Sequence, residues 1–334
     1  ELFPALRVAI DRDRTACGKY LLTGSSSPEL LSSISETLAG RVGIIEISPF
    51  SFAETCSVTS PNLLKLFQES FFSEQILDFT VSSNEQIMLN KIAEFWFNGG
   101  YPEPWIKSSR RYREIWREQY LKTYIERDIA KLFPNLNSVR FRRFIELLAS
   151  CSGDIINYSY IGRILDVSQP TVKDYFKIAH GTFVWRNIPA YTKNTKKRVI
   201  KHPRGYFRDT GLLHHILQIP SYPRLLTHPQ IGASWETVVI EEILRGLNAA
   251  GIHYDPFYYR TSSGAEIELL LEGKFGLIPF EIKHTQTVNP RHLRPIRDFI
   301  LEHQCPFGVI VNNDEKVRQY DEKIYGIPFS VLIA

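Results

Sequence analysis

Cysteine is scarce and unpaired in this sequence: Cys17, Cys56, Cys151 and Cys305 stand far apart, with no CxxC pair. That spacing argues against a zinc site and a disulfide scaffold and fits a reducing, cytoplasmic compartment. Methionine occurs once, at Met88, and the first residue is Glu1 rather than an initiator. No apolar run approaches the roughly 20 residues that span a bilayer, so no membrane partner is expected. There is no Gly-rich loop followed by Lys and Ser/Thr, the element that cradles nucleotide phosphates. Repeats and low-complexity segments are also lacking. Nor does one sign of charge dominate: 40 Lys and Arg against 36 Asp and Glu leave a net +4.

What is present is an ordinary globular composition, 43% apolar and 23% charged, over 334 residues, long enough for two to three domains. Lys19 to Leu22 reads as an apolar strand running into the polar tip Thr23-Gly24-Ser25-Ser26. Polar tips of this kind stand at the carboxyl edge of nucleotide-binding sheets. Residues 1–58 therefore read as the last strands and helices of an α/β domain whose front half, with the phosphate loop, is not in the sequence. Residues 59–136 read as mostly helical. Ile87, Leu89, Ile92, Phe95 and Trp96 carry the spacing of a buried helix face, and Gly99-Gly100-Tyr101-Pro102 breaks that helix. A charged helix follows with Tyr112, Ile115, Trp116, Tyr120 and Tyr124 at helical spacing, a pattern that reads first as core packing.

Residues 137–205 change character. After a helix from Arg140 to Ala149, a short helix, Tyr160 to Leu165, meets a turn at Asp166 to Gln169, and Pro170 opens a second helix. This is a helix-turn-helix pattern. The segments 182–186 and 198–200 fit the two strands of a wing, with Lys193, Lys196, Lys197, Arg198, Lys201 and Arg204 at its tip and return strand. Winged helices often bind DNA, which places Gln169, Thr171, Lys173, Lys177, Lys196, Lys197 and Arg198 as candidate contacts. They also dock proteins, and a Lys/Arg run is often only a solvated face.

Residues 206–334 read as a further α/β unit: helix, strand, strand, helix, strand. In the strand Ala265 to Leu271, period-2 alternation puts Ile267 and Leu269 on one face and Glu266 and Glu268 on the other. In the next strand Ile278, Phe280 and Ile282 point one way and Glu281 and Lys283 the other. Paired as a hairpin, Glu268, Glu281 and Lys283 converge. Glu236 lies on a helix in line with Val239, Ile240, Ile243 and Leu244, with Ser234 as a candidate cap.

Several motifs occur in order: Leu38-Ala39-Gly40-Arg41, Ile45-Glu46-Ile47-Ser48-Pro49-Phe50-Ser51-Phe52-Ala53-Glu54, Phe97-Asn98-Gly99-Gly100-Tyr101-Pro102-Glu103 and Ile125-Glu126-Arg127-Asp128. Together with the opening Glu1 to Leu6 they resemble, nearly end to end, a prokaryotic family of AAA+-superfamily ATPases with a C-terminal domain of unknown function. The resemblance implies an intact protein that binds ATP and Mg²⁺, with Thr23 and Ser25 sensing the γ-phosphate and Arg41 supplying charge to the transition state. The departure is the missing phosphate loop and acidic strand. Without them no cofactor is expected to bind this chain tightly, Thr23 and Ser25 reduce to helix caps and Arg41 to a surface residue.

The C-terminal set resembles the PD-(D/E)xK nuclease core: Glu236 on a helix, an acidic residue on one strand, then Glu281-x-Lys283 on the next. In that core two carboxylates, here Glu268 and Glu281, hold Mg²⁺, which activates water while the lysine positions it. Glu268 departs from the usual Asp, and its extra methylene displaces the metal unless the backbone compensates. The alternative is a set of surface cross-strand pairs. The architecture expected is thus a partial AAA+-like α/β domain (1–58), a helical lid-like region (59–136), a winged helix (137–205) and a restriction-endonuclease-like α/β domain (206–334). Three functions stay open: part of an ATP-driven machine, a Mg²⁺-dependent nuclease, or a non-enzymatic regulator binding DNA or protein.

Overall fold

The computed structural model describes residues 2–24, 38–58, 61–68, 71–80, 85–107, 109–192, 202–261 and 264–334. The chain divides into two compact units, one of residues 1–47 with 157–186, the other of residues 48–156 with 187–334.

The first unit opens with a helix, Leu2–Asp11, that buries none of its residues. The strand expected at Lys19 to Leu22 does not form, and residues 43–47 are not assigned to a strand either. A lone apolar segment does not make a strand: it needs a neighbour for its N–H and C=O groups, and none is found among the described residues. Leu21, Ile45 and Ile47 are accordingly 89%, 87% and 90% exposed.

The same unit holds two helices at a tight turn, Tyr158–Leu165 and Gln169–Gly181. Each has an N-cap: the Asn157 side chain accepts from the Tyr160 N–H at 3.0 Å and Ser168 Oγ from the Thr171 N–H at 3.3 Å. Asp166 closes the first helix in the left-handed region, φ 53°. The second helix begins at Gln169, so Pro170 is its second residue rather than its first. Val172, Phe176 and Ala179 face inward, and Phe176 packs edge-on against Trp185 at 5.9 Å.

The second unit is built on a six-stranded mixed sheet whose strands, in spatial order, are residues 254–260, 266–273, 276–282, 308–312, 324–328 and 318–321. Its strands are β3 (Tyr254–Arg260), β4 (Glu266–Gly273), β5 (Gly276–Ile282), β6 (Gly308–Asn312), β7 (Arg318–Asp321) and β8 (Ile324–Pro328). The first three form an antiparallel meander, and β4 turns into β5 through the two residues Lys274 and Phe275. From β5 to β6 the pairing is parallel, which requires a crossover, supplied by the helix Pro290–His303. That helix covers one face through Leu293, Ile296, Phe299 and Ile300. The long helix Ile231–Ala249 packs through Trp235, Val239, Ile243 and Leu247 into the core of the other face, which also takes in Phe52, Leu63, Phe95 and Trp96. The sequence reading of helix, strand, strand, helix, strand omitted β3, β7 and β8.

Of the two wing strands expected, the one at 182–186 overlaps β1 (Trp185–Ile188), which pairs with β2 (Arg204–Phe207) in a two-stranded sheet, and the one at 198–200 lies outside the described residues. Lys193, Lys196, Lys197, Arg198 and Lys201 lie outside the described residues.

Candidate functional site

The acidic cluster is assembled by an irregularity in the sheet. Along β3–β4, Phe257 faces Leu270 but Tyr259 faces Ile267. Two residues advance on β3 while three advance on β4, which is a β-bulge at Glu268-Leu269. The bulge corrects the simple alternation: Leu269 joins the core under the long helix, whereas Ile267 joins the core under the crossover helix. On β5, Ile278, Phe280 and Ile282 all enter the first of these cores, as their spacing requires.

The regular β4–β5 ladder ends at Leu269 opposite Phe280. Beyond it the Glu268 side chain takes over, accepting from the Ile282 N–H through Oε2 at 2.9 Å. Its Oε1 receives Lys283 Nζ at 2.7 Å, and the same ammonium lies 2.8 Å from Glu281 Oε1. Glu268 and Glu281 are buried, and Glu281 Oε2 has no hydrogen-bond partner. Burial first, and then the Glu268 charge, push the Glu281 carboxyl well above the usual range. Burial alone would lower the Lys283 pKa, but Glu268 and Glu281 together outweigh it and raise it.

Glu236 reaches this cluster from the long helix. Its Oε2 accepts from Tyr206 Oη at 3.0 Å and pairs with Arg204 Nη2 at 3.3 Å, while Arg204 Nη1 pairs with Glu266 Oε1 at 2.6 Å. Burial raises the Glu236 carboxyl to about 7 against the pull of Arg204; Glu268 adds to the rise, and Tyr206 and Lys283 oppose it. Ser234 does not cap this helix. It is buried within it, and the N-cap is Gln230. The structure therefore brings Glu236, Glu268, Glu281 and Lys283 into one site and adds Arg204, Tyr206 and Glu266. Arg204, assigned from sequence to a solvated wing, is instead an interior ion-pair residue. Glu266 was marked by sharing a strand face with Glu268; nothing local marked Arg204 or Tyr206.

The charge balance defines what this site can do. Four carboxylates (236, 266, 268, 281) face two cations (204, 283), a surplus of two negative charges if all ionise. Glu236 and Glu281 are both shifted upward, the direction in which bound protons would lessen that surplus. As arranged, the residues do not fit a divalent ion: both Glu268 oxygens and Glu281 Oε1 are engaged, and only Glu281 Oε2 is open. Among the described residues no three His, Cys, Asp or Glu side chains are grouped to hold a metal.

The other candidates belong to the first unit. Thr23 is exposed, and Ser25 is outside the described residues. Arg41 grips Asp11 through Nε and Nη2 at 2.8 and 3.0 Å, and Arg14 shares that carboxylate at 2.8 Å. Gln169, Lys173 and Lys177 are exposed at four-residue spacing on one helix, with Thr171 half-buried beside them. Lys177 pairs with Asp174 at 3.3 Å, and Lys173 lies over the Tyr158 ring.

Three protein-family models match segments of the chain. Residues 1–56 match an AAA domain, residues 89–222 a domain of unknown function (DUF8612), and residues 231–332 a domain of unknown function (DUF4143). An uncharacterized protein of Mycobacterium bovis and one of Mycobacterium tuberculosis are each 31% identical over 329 residues, covering 98% of this chain and 66% of theirs. The chain thus spans just under two thirds of the length of these curated relatives. No solved structure matches it. Its first segment is thus similar to an AAA domain. No helix among the described residues is long and apolar enough to cross a membrane.

Proposed function

We propose that this chain is the C-terminal part of an ATP-binding AAA-type ATPase, and that its last α/β domain is a PD-(D/E)xK-type module that does not cut nucleic acid. The observation that carries the second half is the Lys283 ammonium seated 2.7 and 2.8 Å from the two carboxylates that would otherwise take a metal. Helix, three-stranded meander, crossover helix and parallel strand follow one another in the order of the nuclease core, which supports the fold assignment. In this reading Lys283 is the resident cation, and Arg204 with Tyr206 holds Glu236 in place. ATP turnover in the whole protein would act on this module as an effector. The chain by itself binds Mg·ATP without useful affinity, because Arg41 is committed to Asp11 and no phosphate-cradling loop occurs in the sequence.

A plasmid-nicking assay with Mg²⁺ or Mn²⁺ and a calorimetric titration with Mg·ATP test both halves. The expected results are no nicking and no micromolar binding. Metal-dependent nicking lost in Glu281→Ala would establish instead the second reading, a Mg²⁺-dependent nuclease, which the open Glu281 Oε2 and the surplus negative charge favour. A third role, DNA contact by a winged helix, is supported by the exposed Gln169, Lys173 and Lys177 stripe.

A further inference from the structure

All three family-matched segments meet at one buried charge network. The AAA match runs to residue 56, but the first unit ends at residue 47, so residues 48–56 belong to the second unit. They enter its core through the single turn Phe52–Thr55, with Phe52 fully buried and edge-on to Phe95 at 5.6 Å. The network joins Arg208, from the segment 89–222, to Glu241, Glu242 and Arg245, from the segment 231–332. None of the four is more than 6% exposed, and their charges balance. Apolar side chains in place of such a network are often as stable or more so, so holding the turn in place does not require it.

Arg245 is the hub. Its Nη1 donates to Glu242 Oε1 at 3.2 Å and to the Phe50 carbonyl at 3.3 Å, and its Nη2 donates to the Arg208 carbonyl. Its Nε is buried with no hydrogen-bond partner; the nearest carboxylate oxygen, Glu241 Oε2, is 4.0 Å away and lies 3.5 Å from Arg208 Nε. Glu242 is shared as well, since its Oε2 accepts from the Phe52 N–H at 2.6 Å. The turn needs nothing from the network for its own shape. Ser51 Oγ accepts from the Glu54 N–H at 3.2 Å, and Glu54 Oε2 from the Ser51 N–H at 2.7 Å, a closed capping box.

We propose that residues 48–55 form a withdrawable latch, which leaves its seat as one piece and couples the AAA-matched segment to the α/β unit. With the latch seated, Arg245 Nη1 serves Phe50 while Nε is orphaned, a costly state for a buried donor. With the latch withdrawn, the guanidinium is released from the Phe50 carbonyl and turns Nε onto Glu241. Glu242 then loses the Phe52 N–H and keeps Arg245. The network thus has two discrete arrangements, which is the physical element that coupling between sites requires. The inference rests on the AAA-type reading for the force that withdraws the latch.

Native-state amide exchange of the ¹⁵N-labelled chain, followed over a series of low urea concentrations, tests the latch. No nucleotide is needed, so a negative result removes the latch and leaves the ATP-binding reading standing. The reporters are the Phe50 and Phe52 amides, which donate to the Gly100 carbonyl and to Glu242, and those of Val309 and Val311 at the centre of the sheet. Phe50 and Phe52 should be protected equally, within about threefold, and at least about tenfold less than the sheet amides. Their exchange should depend only weakly on urea, because withdrawing one turn exposes little surface, whereas the sheet amides should respond steeply. Glu241→Gln weakens the acceptor that Nε takes on withdrawal, so protection at Phe50 and Phe52 should rise about threefold relative to Val309 and Val311. The wild-type measurement decides by itself if that variant does not fold. The proposal is overturned if Phe50 and Phe52 exchange with the sheet amides, if they exchange independently of each other, or if Glu241→Gln leaves the ratio unchanged.

Discussion

At the scale of the residue, Lys283 decides the state of the acidic cluster. Its removal in Lys283→Met leaves Glu268 and Glu281, 4% and 3% exposed, facing each other without a counter-charge. Breaking a buried pair in this way costs about 3–5 kcal/mol. The loss should be larger at high pH than at low pH, because the Glu281 carboxyl, pushed above its usual range by burial, takes up a proton as pH falls; urea denaturation across a pH series measures it. Glu236 gives a second titration. Its folded value of about 7 lies above the ordinary 4.5. The protonated group therefore contributes stability that is fully present below pH 4.5 and lost as pH rises through about 7. Glu236→Gln cannot ionise and should flatten that part of the profile. The wild type should lose stability relative to the variant between pH 5 and 8, and parallel profiles would reject the assignment.

At the scale of the element, three segments converge where Ser48 to Thr55 meets the α/β unit. The Phe50 N–H donates to the Gly100 carbonyl at 2.8 Å, and the Gly100 N–H to Asp209 Oδ2 at 2.8 Å. Asp209 Oδ1 caps the next helix by accepting from the Leu212 N–H at 2.9 Å. Phe52 N–H donates to Glu242, which pairs with Arg245 at 3.2 Å. The backbones approach so closely that a Cβ on Gly100 would stand 2.2 Å from the Phe50 oxygen, and one on Gly211 2.0 Å from the Asn98 oxygen. Gly100→Ala and Gly211→Ala should each destabilise by at least about 2 kcal/mol. Gly232→Ala, with nothing within 4 Å of the new Cβ, should be neutral or mildly stabilising in the same denaturation assay. The motifs Ser48 to Glu54 and Phe97 to Glu103 thus mark one junction, although their separation in sequence hid the contact. Local pattern was legible where one element sufficed: the β5 face, the two helices at 158–181, the long helix with Glu236. It failed where a partner sets the geometry. The Glu268-Leu269 bulge is imposed by β3, whose Pro256 obscures its own strand pattern, and Arg204 is drawn inward by Glu236 and Glu266, which are distant in sequence.

At the scale of the whole molecule, the chemistry is split between two compact units. The one matched mainly by the AAA domain carries both the exposed apolar segments around Leu21 and Ile45 and the helix Gln169–Gly181. A net charge of +4 is too small to bind nucleic acid by itself. The local pattern is more selective: Lys173 and Lys177 are exposed one turn apart, while Asp166 and Asp174 nearby temper their field. Binding to duplex DNA should therefore be weak, without strong sequence preference, and steeply salt-dependent, since phosphate contacts release counterions. Reversing both lysines in Lys173→Glu/Lys177→Glu removes two contacts of this kind. Each phosphate contact contributes about 0.9 to the slope of log K against log salt, so the variant's slope should be shallower by about 2. Both changes fall on exposed side chains clear of the Val172, Phe176 and Ala179 face, so the helix itself should be unaffected and its circular dichroism unchanged. A variant that keeps the wild-type salt slope would place the DNA contact elsewhere or nowhere, and would leave protein docking as the role of this helix pair.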